Sequence, residues 1–245
     1  MAQPDAPLDD GATTPAGAAG NELGPRLAED LLLLLFQPGA GTIAGENTLF
    51  YVLAAAVLAE LALSESVATT TTRTGSVNVH AVAGRAPSDE ILRRAWQYVA
   101  HAPRGVQTVL AAIGPPLREP ILERLVARGD IGQESRRFMG LFGTTALIDG
   151  GNGRRADLLG LVRRVLVDGA EPTPRVAALA ALIWASGALP QLDPEIPWTS
   201  TVITRAQELE RGSWGAAAGA EAVARTMNAI ITSSVIVAIA AHPRT

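Results

Sequence analysis

Five arginines, Arg118, Arg136, Arg137, Arg154 and Arg155, bracket one short apolar stretch of the chain. Lysine is absent, so all 20 basic side chains are guanidiniums. Each is a planar fork of donors that suits carboxylate or phosphate. The stretch between them holds Phe138, Met139, Leu141, Phe142, Leu147 and Ile148, more large apolar residues than one side of a small hairpin needs. An apolar tip with a basic rim could enter a membrane interface and hold a lipid phosphate, or it could enter a partner subunit. The plain alternatives are that the stretch packs on neighbouring helices and that the arginines pair with some of the chain's 24 acids.

Other chemistry has less to stand on. His80, His101 and His242 are far apart, and none sits at helical spacing from a second ligand type. Cysteine is absent, which removes disulfides and thiolate metal sites. Gly150-Gly151-Asn152-Gly153 lacks the Lys that follows a phosphate loop. The carboxylate pairs Glu29-Asp30 and Asp89-Glu90 are neighbours in sequence and point different ways on a helix. No nucleophile elbow is present, no cofactor is implied, and an enzyme is not expected.

The elements that must position the arginines follow from patterning. Hydrophobic residues make up 48% of the 245 and charged ones 18%. The apolar runs Leu31–Phe36, Leu49–Ala59, Val176–Ala185 and Ile230–Ala241 are short or interrupted, whereas a spanning helix needs about 20 apolar residues. They predict central helices buried on most sides. Met1-Ala2-Gln3-Pro4-Asp5 lacks the basic start of a signal peptide, so a cytoplasmic protein is expected. Residues 1–22, rich in Ala, Gly, Pro and Thr, read as a disordered tail ahead of a folded domain over 23–243.

Helices are predicted over 27–36, 47–63 with Asn47 as N-cap, 88–100, 118–128, 154–168, 174–187, 199–210 and 217–240. Two β-hairpins are predicted, one over 67–82 from alternating β-branched residues around Thr74-Gly75, and one over 131–148. Gln37-Pro38-Gly39 reads as a helix breaker. The fold class is therefore mainly α: a compact single-domain helical bundle with two peripheral β-hairpins.

The order of segments resembles the Golgi phosphoprotein 3 family. The likeness lies in Leu27-Ala28-Glu29-Asp30-Leu31-Leu32-Leu33-Leu34, Gly41-Thr42-Ile43, Leu58-Ala59-Glu60-Leu61-Ala62-Leu63, Ser88-Asp89-Glu90-Ile91-Leu92 and Leu125-Val126-Ala127-Arg128-Gly129. It continues through the hairpin and helix from Phe138 to Val167. The resemblance implies a helical domain with β-hairpins that acts as a peripheral membrane protein. Eukaryotic members bind phosphatidylinositol 4-phosphate and help retain glycosyltransferases in the Golgi. Their hairpin, which looks like 137–148 here, serves self-association and membrane contact. The positions that look like their lipid pocket are Gly45, Ala54, Pro115 and Arg118, of which Arg118 alone keeps the family's residue type. Weak or absent binding of that lipid is the expectation. The lack of lysine fits a bacterial, actinobacterial member.

The leading expectation is a peripheral adaptor on the inner face of the cell membrane. Its partner would be an anionic lipid head group or a membrane protein. The first alternative is a protein-interaction or homo-oligomerisation module that uses the same hairpin without lipid. A winged-helix-type DNA-binding regulator fits the order helix, turn, hairpin at 118–148. The net charge of −4 and the acids Glu119 and Glu123 on its candidate helix argue against nucleic acid as a partner.

Overall fold

The computed structural model describes residues 26–138, 142–212 and 225–233, with the backbone alone for 135–138 and 142–144. Its centre is three apolar helices. Helix α1 (Leu27–Leu35) is buried at every position, and Leu31 to Leu35 are all at 0% exposure. Helix α2 (Leu49–Leu63) is apolar nearly all round, as a helix enclosed by others must be. Helix α7 (Pro174–Ala185) completes the set, opened by Thr173, whose hydroxyl accepts from the Val176 amide at 3.4 Å, with Pro174 in the first turn. Each fully buried leucine contributes about 1.5–3 kcal/mol relative to exposure. The three helices pack on one another, so this leucine-rich centre carries the core.

Shorter helices cover that centre. Helix α3 (Glu90–Ala100), α4 (Val106–Ile113) and α5 (Arg118–Ala127) lie on the α1–α2 side; α6 (Arg154–Leu166) and α8 (Ser200–Glu210) lie against α7. Asp89 caps α3 by accepting from the Leu92 amide at 3.1 Å. A 3-10 turn, Leu189–Leu192, joins α7 to α8, and residues 225–233 are helical with Met227, Ile230 and Ile231 buried. Among the described residues, no helix is long and apolar enough to cross a membrane.

The β-structure is small and antiparallel. Strands β1 (Phe36–Gln37) and β2 (Thr42–Ile43) pair across the Gln37-Pro38-Gly39 region. Strands β3 (Val67–Thr71), β4 (Val77–Ala81) and β5 (Arg104–Gly105) form a three-stranded sheet, and β6 (Ile131–Phe138) pairs with β7 (Phe142–Asp149). The mainly α class and both predicted hairpins stand.

Three details differ from expectation. The breaker at 37–39 is the bend of a third, minute hairpin. Helix α4 follows Gly105 in a stretch that composition leaves unassigned. Helix α2 begins after Thr48 rather than Asn47, and the buried Thr48 hydroxyl does not cap it because it is engaged elsewhere. Its single proton is shared between the carbonyls of Gly45 and Ser186, both at 3.1 Å, which ties the loop before α2 to the end of α7. The predicted tail over 1–22 lies outside the described residues, as does most of the predicted helix over 217–240.

Candidate functional site

The β6–β7 ribbon is eight residues long on each strand. At about 3.3 Å per residue it extends roughly 25 Å. Its register runs from Ile131 opposite Asp149 at the root to Phe138 opposite Phe142 at the far end. Met139 and Leu141 lie outside the described residues, and the side chains of Phe138 and Phe142 are likewise not described. Leu147 sits near the root, partly buried against the core. There the β1–β2 bend approaches so closely that a Cβ on Gly41 would stand 3.0 Å from the Leu147 carbonyl oxygen.

The root is closed by tight backbone contact. The Gly150 amide donates to the Asp130 carbonyl at 3.2 Å. A Cβ at Gly150 would fall 1.8 Å from the Gly129 carbonyl oxygen, so only glycine fits. Gly129 itself ends α5 with φ +75°, a left-handed turn that favours glycine.

The structure divides the arginine rim. Arg118 is partly exposed; its Nε donates to Glu46 at 2.9 Å, and its Nη1 lies 3.7 Å from Glu119. Arg154 turns inward, donating to Asp130 at 2.7 Å and also to Asp30. Arg155 donates from Nε to the Phe36 carbonyl at 3.0 Å, and burial lowers its pKa against the opposing charges of Glu195 and Asp149. In register, Arg136 stands opposite Thr144 and Arg137 opposite Gly143; the side chains of these four residues are not described.

Behind the hairpin root lies an ion-pair network that sequence reasoning did not assemble. Two acids, Glu29 and Asp30, sit inside the otherwise apolar α1, 2% and 3% exposed. Buried charges need partners, and each acid has its own set. Glu29 accepts from Arg124 on α5 at 3.1 Å and from Arg128, the C-cap of that helix, at 2.6 Å. Asp30 accepts from Arg154 on α6 and from Nη2 of Arg175 on α7 at 2.7 Å. The two carboxylates do point different ways, and that is how one helix holds three others.

Asp89, Asp130 and Glu60 extend the network. Asp89 accepts from Arg124 at 2.7 Å, and Asp130 accepts from Nε of Arg128 at 2.8 Å. Glu60, near the end of α2, accepts the Leu27 amide at 2.6 Å and so caps the start of α1. Burial works against each arginine's charge, but the adjoining carboxylates win and raise Arg124, Arg128 and Arg175 above their usual pKa. An open cleft of about 740 Å³ exposes one side of the network between Arg26, Asp30, Glu60, Asp89, Arg154 and Arg175. With three acids and three arginines on its wall the cleft is charge-balanced. The arrangement is suited to holding helices and the hairpin in fixed relation.

The segments that build this arrangement, α1, the end of α2, the α5–β6 junction and the starts of α6 and α7, fall within one family match. The model described as Golgi phosphoprotein 3 (GPP34) matches residues 27–226. The chain belongs to that family. No curated protein matches it. Membership in the Golgi phosphoprotein 3 family supports a binding or adaptor role of that family's kind. The match takes in both the hairpin and all the acids of the network, from Glu29 to Asp130.

Proposed function

We propose that the protein is a peripheral membrane adaptor that touches an anionic lipid surface with the far end of the β6–β7 hairpin. One observation carries the reading: the ladder ends on Phe138 opposite Phe142, at the end of a ribbon about 25 Å long. Two large apolar side chains entering the interface supply roughly 3–6 kcal/mol, which is marginal and calls for an electrostatic partner. Arg154 and Arg155 are engaged inside the domain, so that partner falls to Arg118, Arg136 and Arg137. Each contributes about 1 kcal/mol beside an anionic surface.

The reading favours a general anionic surface over a single head group. At the positions that look like the relatives' pocket, Ala54 is fully buried and Gly45 packs on the Ser186 backbone. Arg118, the remaining fork, is paired with Glu46. The lack of lysine supports a bacterial cell, where the surface would be the inner face of the cell membrane. No catalytic step belongs to this role.

A specific observation favours a second reading. The β6–β7 sheet has two strands, so neither outer edge pairs with a third strand among the described residues. An open edge can pair with a second copy or a partner strand. The regulator reading gains no such support, because Arg124 on α5 and Arg128 at its C-cap are engaged with Glu29, Asp89 and Asp130.

Vesicle flotation tests the first reading. The protein should float with vesicles containing phosphatidylglycerol and less with pure phosphatidylcholine, and the Phe138→Asp, Phe142→Asp double variant should lose flotation. Failure of the unaltered protein to float with either vesicle sinks it. Light scattering over a dilution series tests the second, since a hairpin buried between copies makes mass depend on concentration.

A further inference from the structure

A ribbon about 25 Å long is a lever, and its usefulness depends on what holds its root. A root rotation of about 10° would carry the far end roughly 4 Å, about the spacing between neighbouring strands. Backbone pairing within the hairpin cannot fix that angle, because it moves with the hairpin. Something outside the ladder has to.

Asp130 stands where such a hold would act. It is the last residue before β6, 3% exposed, and its carboxylate is shared by three donors, one before the hairpin in sequence and two after it. Arg128 Nε at the end of α5 donates at 2.8 Å, Arg154 Nη1 at the start of α6 at 2.7 Å, and Asn152 Nδ2 in the loop after β7 at 2.7 Å. The donor groups therefore stand on both sides of the hairpin in sequence. Arg154 also donates to Asp30, which carries the hold through to the central helix α1. The Asp130 carbonyl accepts from Gly150, so the residue binds the two strand ends to each other as well.

We propose that Asp130 is a positioning residue, whose carboxylate sets the angle at which the hairpin leaves the domain and so the presentation of its far end to the membrane. The inference rests on the membrane reading above for its functional consequence, but the angle can be measured without lipid. The lack of cysteine makes the measurement direct, because introduced cysteines are the only thiols to label.

Spin labels on Gln97→Cys and Thr145→Cys, both exposed, report the distance from the body to the hairpin. Labels on Gln97→Cys and Thr201→Cys, at exposed sites on α3 and α8, report the body alone. Asp130→Asn should widen the first distance distribution about two-fold and leave the second unchanged. No widening, or equal widening of both in the folded protein, would overturn the proposal.

If Asp130→Asn does not fold, Asn152→Ala decides. It removes one donor to Asp130, together with the acceptor of the Arg154 amide, should widen only the hairpin distance, and counts against the proposal if it does not. Flotation of the folded variant with phosphatidylglycerol vesicles should fall about three-fold. A widened distance with undiminished flotation would remove the functional half. If the unaltered protein fails to float, the membrane reading falls while the distance result stands by itself.

Discussion

Nη1 of Arg175 donates to both carboxylate oxygens of Glu60, at 3.2 and 3.0 Å, across 115 positions of sequence. The pair closes the far side of the network that starts at the hairpin root. It locks the start of α7 to the end of α2, while the same Glu60 caps α1. Three helices buried in leucine and alanine have little apolar detail to fix their mutual register. The charged pairs at one end supply it, since a misplaced helix would leave a buried carboxylate without its cation.

Removing either partner alone should therefore be costly, and removing both should cost less than the sum of the two. Arg175→Met is expected to lower unfolding stability by about 3 kcal/mol, and Glu60→Gln by a similar amount. The double variant Glu60→Gln, Arg175→Met should cost clearly less than the two singles together. Urea unfolding of the four proteins measures it. Strict additivity would mean that the pair is not coupled.

Acid should loosen the fold through Asp89 and Asp130. Burial pushes each carboxyl up, but the Leu92 amide, Arg124 and Arg26 at Asp89 outweigh it. At Asp130, Asn152, Arg128 and Arg154 do the same, and both groups finish below the usual value. A carboxyl with a depressed folded pKa contributes stability that is fully present above its unfolded pKa of about 3.9. That stability is lost as pH falls through the folded value. The urea midpoint is thus expected to decline below about pH 4 through these groups, and to decline less steeply in Asp130→Asn. An identical acid slope in the two proteins would exclude Asp130 as a contributor.

The buried helices could be read from sequence because α1, α2 and α7 are apolar almost all round, a pattern that only enclosure explains. The hairpins could be read because Thr69 to Val79 alternates and because the Gly- and Thr-rich run from Gly140 to Thr145 does not suit a helix. Helix α4 could not. Val106, Thr108, Val109 and Ile113 are β-branched and lie between Gly105 and Gly114, so local preference is poor and packing on α2 sustains the helix.

The arginine rim shows the same limit at single residues. Proximity to the hairpin in sequence put Arg154 and Arg118 in one group. Helix phase turns the first toward Asp30 and Asp130 and leaves the second outside beside Glu46. Two acids within a leucine helix were the available sign of a buried network, but Glu29 meets Arg124 and Arg128 from 95 and 99 positions away. That pairing is a property of the tertiary fold.

Arg118 separates a role at the membrane from a role in stability. Its pair with Glu46 is exposed on both sides, and such pairs contribute little. Arg118→Ala should leave unfolding stability within about 0.5 kcal/mol. It should weaken binding to phosphatidylglycerol vesicles about five-fold, the equivalent of about 1 kcal/mol. A stability change without a binding change would place Arg118 outside the docking surface.

Two glycines at the hairpin root should respond differently to the same added methyl. At Gly150 the Cβ would meet backbone, 1.8 Å from the Gly129 oxygen and 2.7 Å from the Asp130 carbonyl carbon. Neither atom can give way without opening the strand ends. At Gly132 the Cβ would meet the Ile148 side chain at 2.8 Å, which can shift rotamer. Gly132→Ala should cost about 1 kcal/mol, within the range for modest overpacking. Gly150→Ala should cost more than that range and raise amide exchange along Ile131 to Glu134, where the ladder starts. Hydrogen exchange on the two variants distinguishes them; equal protection of those amides in both would show that the root is not held by this close approach.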